Sequence, residues 1–198
     1  MPSLKEVELY LTGLWMLLKQ DPGGFRYLDL TDRGAMRSFF AMIFALPAMG
    51  LSWYWLMLVY LNNQPEGATV GADYFLRVAM IEAINWILPL VLAGLLAWTI
   101  GIGERFSAIV AATNWMTVPF SYLYGVLILL MLLMPSLAGL VVLVWFVLML
   151  VLVFTYMRVM QMICGGQTLT AAALTAVLLV PAIIVNDALQ TFLEVAGN

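Results

Sequence analysis

Residues 106–162 read as one apolar run, interrupted only by Met134-Pro135-Ser136, and residues 126–153 contain no charged side chain. One bilayer crossing takes ~20 apolar residues, so this run is long enough to cross a membrane and return. A water-soluble domain of this size has no need of such a stretch. The rest of the chain must therefore fold around segments whose solvent is lipid, where a helix satisfies every backbone polar group internally.

The composition agrees. Of 198 residues, 65% are hydrophobic and 10% charged, against ~25% charged in an ordinary soluble domain. That leaves little room for a soluble module. The net charge of −3 is small and the basic residues are scattered, which argues against nucleic acid as a partner. Cys164 is the lone cysteine, so no internal disulfide can form. There is no histidine, which removes Ser-His-Asp and Cys-His catalysis and the commonest metal ligand. No phosphate loop, paired-cysteine site or nucleophile elbow is present. The expectation is a non-enzymatic chain with no catalytic residues, no cofactor and no metal.

In chain order, Ser3-Leu4-Lys5-Glu6 has the form of a capping box. Leu4, Val7, Leu11, Leu14, Trp15 and Leu18 then recur at helical spacing, with Lys5, Glu6, Glu8, Thr12 and Lys19 on the other face. This predicts an amphipathic helix ending near Gln20, stopped by Asp21-Pro22-Gly23-Gly24. It either lies in the headgroup plane with Trp15 at the boundary, or packs on the bundle or a partner. Glu6 and Glu8 stand where a signal peptide needs basic residues, so the segment is expected to be retained. Thr31 or Asp32 can cap the next helix, over 33–60.

Five crossings follow, at about 37–61, 75–100, 106–134, 137–160 and 168–189. Pro47, Pro89, Pro119 and Pro181 predict a kink in four of them. Residues 1–35 form a cytoplasmic N-terminal segment and residues 36–198 a five-span transmembrane domain. The fold class is all-α, a polytopic membrane helix bundle with an added amphipathic helix. Lys5, Lys19, Arg26, Arg33, Arg37, Arg105 and Arg158 all fall at one side of these spans and only Arg77 at the other. The positive-inside rule then puts the N-terminus in the cytoplasm and the C-terminus outside, in the inner (cytoplasmic) membrane.

Glu82 is an ionisable group ~9 Å into the second span, a costly position that usually faces a partner or a wet cavity. Asn85 lies one turn deeper, and Asn186-Asp187 reaches a comparable depth in the fifth span. One reading is an intramembrane polar cluster, Glu82 and Asp187 sharing a proton on an ion path. The other is interhelical hydrogen bonding worth ~0.6–2 kcal/mol per bond. Asn114 reads as a helix–helix contact. Ala93, Gly94, Ala97, Ala108, Ala111, Ala112, Ala172 and Ala176 read as close helix approaches.

Asp29-Leu30 precedes the first span, and Asn114-Trp115-Met116-Thr117-Val118-Pro119 lies in the third. With a cytoplasmic N-terminal segment and five crossings, this layout resembles the Yip1 family. Members of that family carry Asp-Leu before the first span and Gly-Tyr-x-x-x-Pro in the third. Trp115 takes the aromatic place and Pro119 the proline place. Asn114 stands for the glycine, and the Gly-Pro that follows Asp-Leu in the family is missing. The resemblance covers roughly residues 29–187, and the short loops suggest a bacterial member. It implies a non-enzymatic protein that acts through contacts.

Two functional expectations follow. The first is a scaffold or accessory subunit that meets the bilayer, other membrane proteins or a copy of itself. Its contacts would be Leu4, Val7, Leu11, Leu14, Trp15, Leu18, Asp29 and Leu30. The second is a small oligomeric transporter or channel with Glu82, Asn85, Asn186 and Asp187 on its path.

Overall fold

The computed structural model of the protein describes residues 2–195. Among the described residues there are seven α-helices and no strand. They are α1 (Leu4–Leu18), α2 (Asp32–Ser38), α3 (Ala41–Asn62), α4 (Ala72–Thr99), α5 (Phe106–Leu133), α6 (Ala138–Ile163) and α7 (Thr168–Phe192). Five helical segments are long and apolar enough to cross a membrane: Asp32–Asn62, Ala72–Thr99, Gly103–Leu133, Pro135–Ile163 and Thr168–Phe192. The chain is an all-α membrane helix bundle.

The N-terminal capping box forms as the sequence predicts. The Ser3 hydroxyl accepts from the Glu6 amide at 3.3 Å, and Glu6 Oε2 accepts from the Ser3 amide at 2.7 Å. The Asp21 carboxylate accepts from the Gly23 amide at 2.8 Å and starts a 3-10 turn over Pro22–Tyr27. That turn folds back on α1 with almost no space between backbones. A Cβ on Gly13 would sit 2.6 Å from the Gly24 carbonyl oxygen.

Asp29 then makes a turn of its own. Its Oδ1 accepts from the Thr31 amide at 3.2 Å and the Thr31 hydroxyl at 2.6 Å, while Thr31 Oγ1 caps α2 through the Gly34 amide at 3.1 Å. Leu30 tucks against the core. The Asp-Leu pair is thus the hinge that aims the first span.

That span is not the single helix expected over 33–60. It tightens at Phe39 and Phe40, where Phe40, Met42 and Ile43 donate to carbonyls three residues back at 3.0–3.2 Å. The Ser38 hydroxyl donates to the Ala35 carbonyl at 2.6 Å, a local bond that competes with the helix ladder and bends it. The four prolines lie inside continuous helices, each leaving a carbonyl one turn earlier without its usual N–H.

The spans pack in the order α3, α5, α6, α7, α4. Tyr74, Val78 and Ile81 of α4 meet Trp53, Leu56, Met57 and Tyr60 of α3 at the end far from α1 and close the ring there. At the other end α1 and α2 lie against α5, and α1 also reaches α6. Tyr10 packs on Trp115 with ring centroids 4.7 Å apart, and Glu6 pairs with Arg37 at 2.8 Å. α1 therefore docks on the bundle rather than standing free of it.

The docked face differs from the predicted stripe. Val7, Tyr10, Gly13, Leu14 and Leu17 are buried, whereas Leu4, Leu11, Trp15 and Leu18 stay exposed. The helix carries two apolar arcs side by side, about 110° apart at 100° per residue. One faces protein. The other faces outward, with the Lys19 ammonium 4.8 Å over the Trp15 ring.

Candidate functional site

Glu82, Asn85, Trp86 and Pro89 fall at i, i+3, i+4 and i+7 of α4 and so share one face. Asn114, Thr117, Ser121 and Tyr124 of α5, at i, i+3, i+7 and i+10, share a face in the same way, with Thr113 and Phe120 beside them. Between these faces lies a cavity of about 510 Å³. Ser52 of α3, Trp145 and Tyr156 of α6 and Leu178 of α7 complete its wall. All five spans contribute to it.

At the α1 end the cavity is bounded by the Asn114 amide, whose oxygen and nitrogen are both paired. Asn114 is 1% exposed. Its Oδ1 accepts from Trp86 Nε1 at 2.9 Å, and its Nδ2 donates to the Ser38 hydroxyl at 2.8 Å. One amide thereby ties α5 to α4 and to α2. The packing role expected of Asn114 is the geometry found.

Further along, the lining is under-satisfied. Glu82 is half-buried, and its one hydrogen bond is a long one of 3.4 Å from Trp53 Nε1. Asn85 Nδ2 donates to Asn186 Oδ1 at 2.8 Å, which joins α4 to α7. Asn85 Oδ1, and Thr113 Oγ1 back beside Asn114, are buried with no partner among the described residues. A buried polar atom left unpaired costs about 1–3 kcal/mol, so these atoms favour a polar occupant of the cavity.

No Lys or Arg lines the cavity. The Arg77 guanidinium is held by Asp73 at 3.2 Å and the Leu193 carbonyl at 3.1 Å. Arg158 lies 5.1 Å over the Phe154 ring and reaches Gln161 at 3.4 Å. Among the described residues Glu82 thus has no ion-pair partner. Among the described residues no three His, Cys, Asp or Glu side chains gather as metal ligands.

A second cavity of about 820 Å³ lies between α6 and α7. It shares Asn85, Tyr124, Trp145 and Leu152 with the first, so the two adjoin at these side chains. Its other walls are almost wholly apolar, and Val153, Val180 and Ile183, which line it, are exposed on the lipid-facing side. Ala172 and Ala176 do not serve as the close helix contacts that the sequence suggests. Both are exposed and line this groove instead.

The structure brings Glu82, Asn85 and Asn186 to adjoining cavities. Asp187 is exposed on α7, lines neither cavity, and is not paired with Glu82. One residue is about 100° of helix, so Asn186 facing α4 turns Asp187 away. Sequence reasoning missed Trp53, Trp86, Tyr124, Trp145 and Tyr156 and the α5 hydroxyls. Their signal was the polar period along α5, with Glu82 and Trp86 four apart on α4.

No family model, no curated protein and no solved structure matches the chain.

Proposed function

We propose that this chain is a non-enzymatic, multi-pass protein of the cytoplasmic membrane that takes a cation into its helix bundle, as a small transporter or channel does. The observation that carries this reading is the cavity lined by all five spans, with the half-buried Glu82 carboxylate on its wall and no basic side chain among its lining residues. An acid at that depth is costly unless a proton, a cation or water meets it. The adjoining groove between α6 and α7, which shares four lining residues with the cavity, supplies a way in.

The second reading is a scaffold or accessory subunit with a Yip1-like layout. It is favoured by the exposed arc Leu4, Leu11, Trp15 and Leu18 on α1, and by the apolar side of α6, most of which is exposed. In that reading the arc rests on lipid headgroups, on another membrane protein or on a second copy.

Proteoliposomes with a trapped pH dye, energised by a potassium–valinomycin potential, separate the two. Wild-type protein should admit protons measurably faster than empty vesicles, and Glu82→Gln should lower that rate by tenfold or more. A wild-type rate equal to that of empty vesicles would remove the cation reading and leave the scaffold reading standing.

A further inference from the structure

We infer that the cavity and the α6–α7 groove together form one binding site for a lipophilic ammonium ion, a cationic head with an alkyl or aryl tail that enters sideways from the bilayer. This names the cation of the proposed function and rests on that reading.

The head is identified by charge and by aromatic faces. Glu82 supplies the single negative group, and Trp86, Tyr124, Trp145 and Tyr156 line the same space. A hydrated metal cation needs a shell of oxygen ligands, six to eight for calcium and near-octahedral for magnesium. Here one carboxylate stands among rings. Aromatic faces attract a poorly hydrated cation and hold an alkylated ammonium, most strongly when it is desolvated. An anionic head has nothing to meet, because no Lys or Arg lines either cavity. That excludes an ordinary phospholipid headgroup, whose phosphate would be left unpaired.

The tail is identified by the groove. Tyr124 and Trp145, with ring centroids 6.3 Å apart, stand where the two spaces join. Beyond them Met149, Val153, Met157, Leu179 and Ile183 make an apolar trough. Trp145 is 48% exposed and Ile183 64%, so the trough opens on the lipid side. A molecule dissolved in the leaflet can slide its tail between α6 and α7 and leave its head at Glu82. The α1 end, sealed by Asn114, Ser38 and Trp86, sets the depth it can reach.

The test uses the full chain in nanodiscs of zwitterionic lipid, with tryptophan fluorescence as the readout. The probes are dodecyltrimethylammonium, tetramethylammonium, dodecanol and dodecyl sulfate. Dodecyltrimethylammonium should bind saturably, at least tenfold more tightly than tetramethylammonium, and more tightly than dodecanol or dodecyl sulfate. Glu82→Gln should weaken it at least tenfold. Ala176→Phe, which fills the trough and leaves the charge alone, should cancel the chain-length advantage, so the inference stays testable if the Glu82 variant fails to fold. Equal binding of dodecanol, or binding unchanged in Glu82→Gln or in Ala176→Phe, overturns the inference. Proton entry that depends on Glu82 in a protein that does not bind dodecyltrimethylammonium overturns the inference alone. A wild-type proton rate equal to that of empty vesicles overturns the proposed function, and the inference that rests on it, whether or not dodecyltrimethylammonium binds.

Discussion

Glu6 uses both of its carboxylate oxygens at the α1 end. One carboxylate oxygen accepts from the Ser3 amide at 2.7 Å and the other from the Arg37 guanidinium at 2.8 Å. The Ser3 bond foremost, then Arg37, holds its pKa down at about 2 against an ordinary 4.5. A depressed acid contributes stability that is present above the unfolded pKa and lost as pH falls toward the folded one. The Glu6 contribution is thus complete near neutral pH and fades between about 4.5 and about 2. Glu6→Gln should lower the melting temperature of the detergent-solubilised protein at pH 7. The gap between variant and wild type should close as the pH of the melting experiment falls through that window. A gap that is constant with pH would mean that the ion pair and cap contribute nothing as charges. Ser3 and Glu6 were legible in the sequence because a capping box is local, complete within four residues. The Glu6–Arg37 pair was not, because 31 residues separate its members and only the fold brings them together.

At the scale of elements, the joint between α1 and the following 3-10 turn is a glycine-to-glycine contact. A Cβ on Gly24 would meet the Gly13 carbonyl oxygen and the Leu17 side chain, and Leu17 is 1% exposed. Neither neighbour can give way without lifting α1 off α5. Gly24→Ala should destabilise the protein by about 1–3 kcal/mol, the usual range for overpacking. Gly50→Ala is the matched control, because nothing lies within 4 Å of a Cβ there, and alanine suits a helix interior better by about 0.5–1 kcal/mol. Thermal unfolding of the two variants side by side checks this, and an equal effect would refute the close approach. The same element shows why periodicity read α1 only in part. Leu4, Leu11, Trp15 and Leu18 lie beside Val7, Tyr10, Leu14 and Leu17, and a spacing rule merges two neighbouring arcs into one stripe. The α5 face of Thr113, Thr117, Ser121 and Tyr124 escaped for another reason. Thr117 and Ser121 also donate to carbonyls of their own helix, as hydroxyls in apolar helices do, so composition does not flag them. Only their shared register with the Glu82 face of α4 gives them meaning.

For the whole molecule, the five spans were legible because each is a long local run, whereas their order around the ring was not. The ring makes the two ends chemically unlike. The α1 end carries Lys5, Lys19, Arg26, Arg33, Arg37, Arg105 and Arg158, and the Arg105 guanidinium braces the last turn of α6 by donating to the Ile163 carbonyl at 2.9 Å. The opposite end carries Arg77 with Glu66 and Asp73. Basic residues flanking spans stay in the cytoplasm, so the α1 end should face inward and the α3–α4 loop outward. Cysteine mapping decides this with little interference from the native thiol. Cys164 is fully buried, and burial pushes its thiol pKa up, which leaves little thiolate to react. Glu66 and Glu104 are both exposed, in the α3–α4 and α4–α5 connections. In intact cells an impermeant maleimide should label Glu66→Cys, and it should label Glu104→Cys only after the membrane is opened. The reverse pattern would turn the molecule over: Asn114 and Ser38 would then seal the cavity from outside, and the ammonium head at Glu82 would lie nearer the cytoplasmic leaflet.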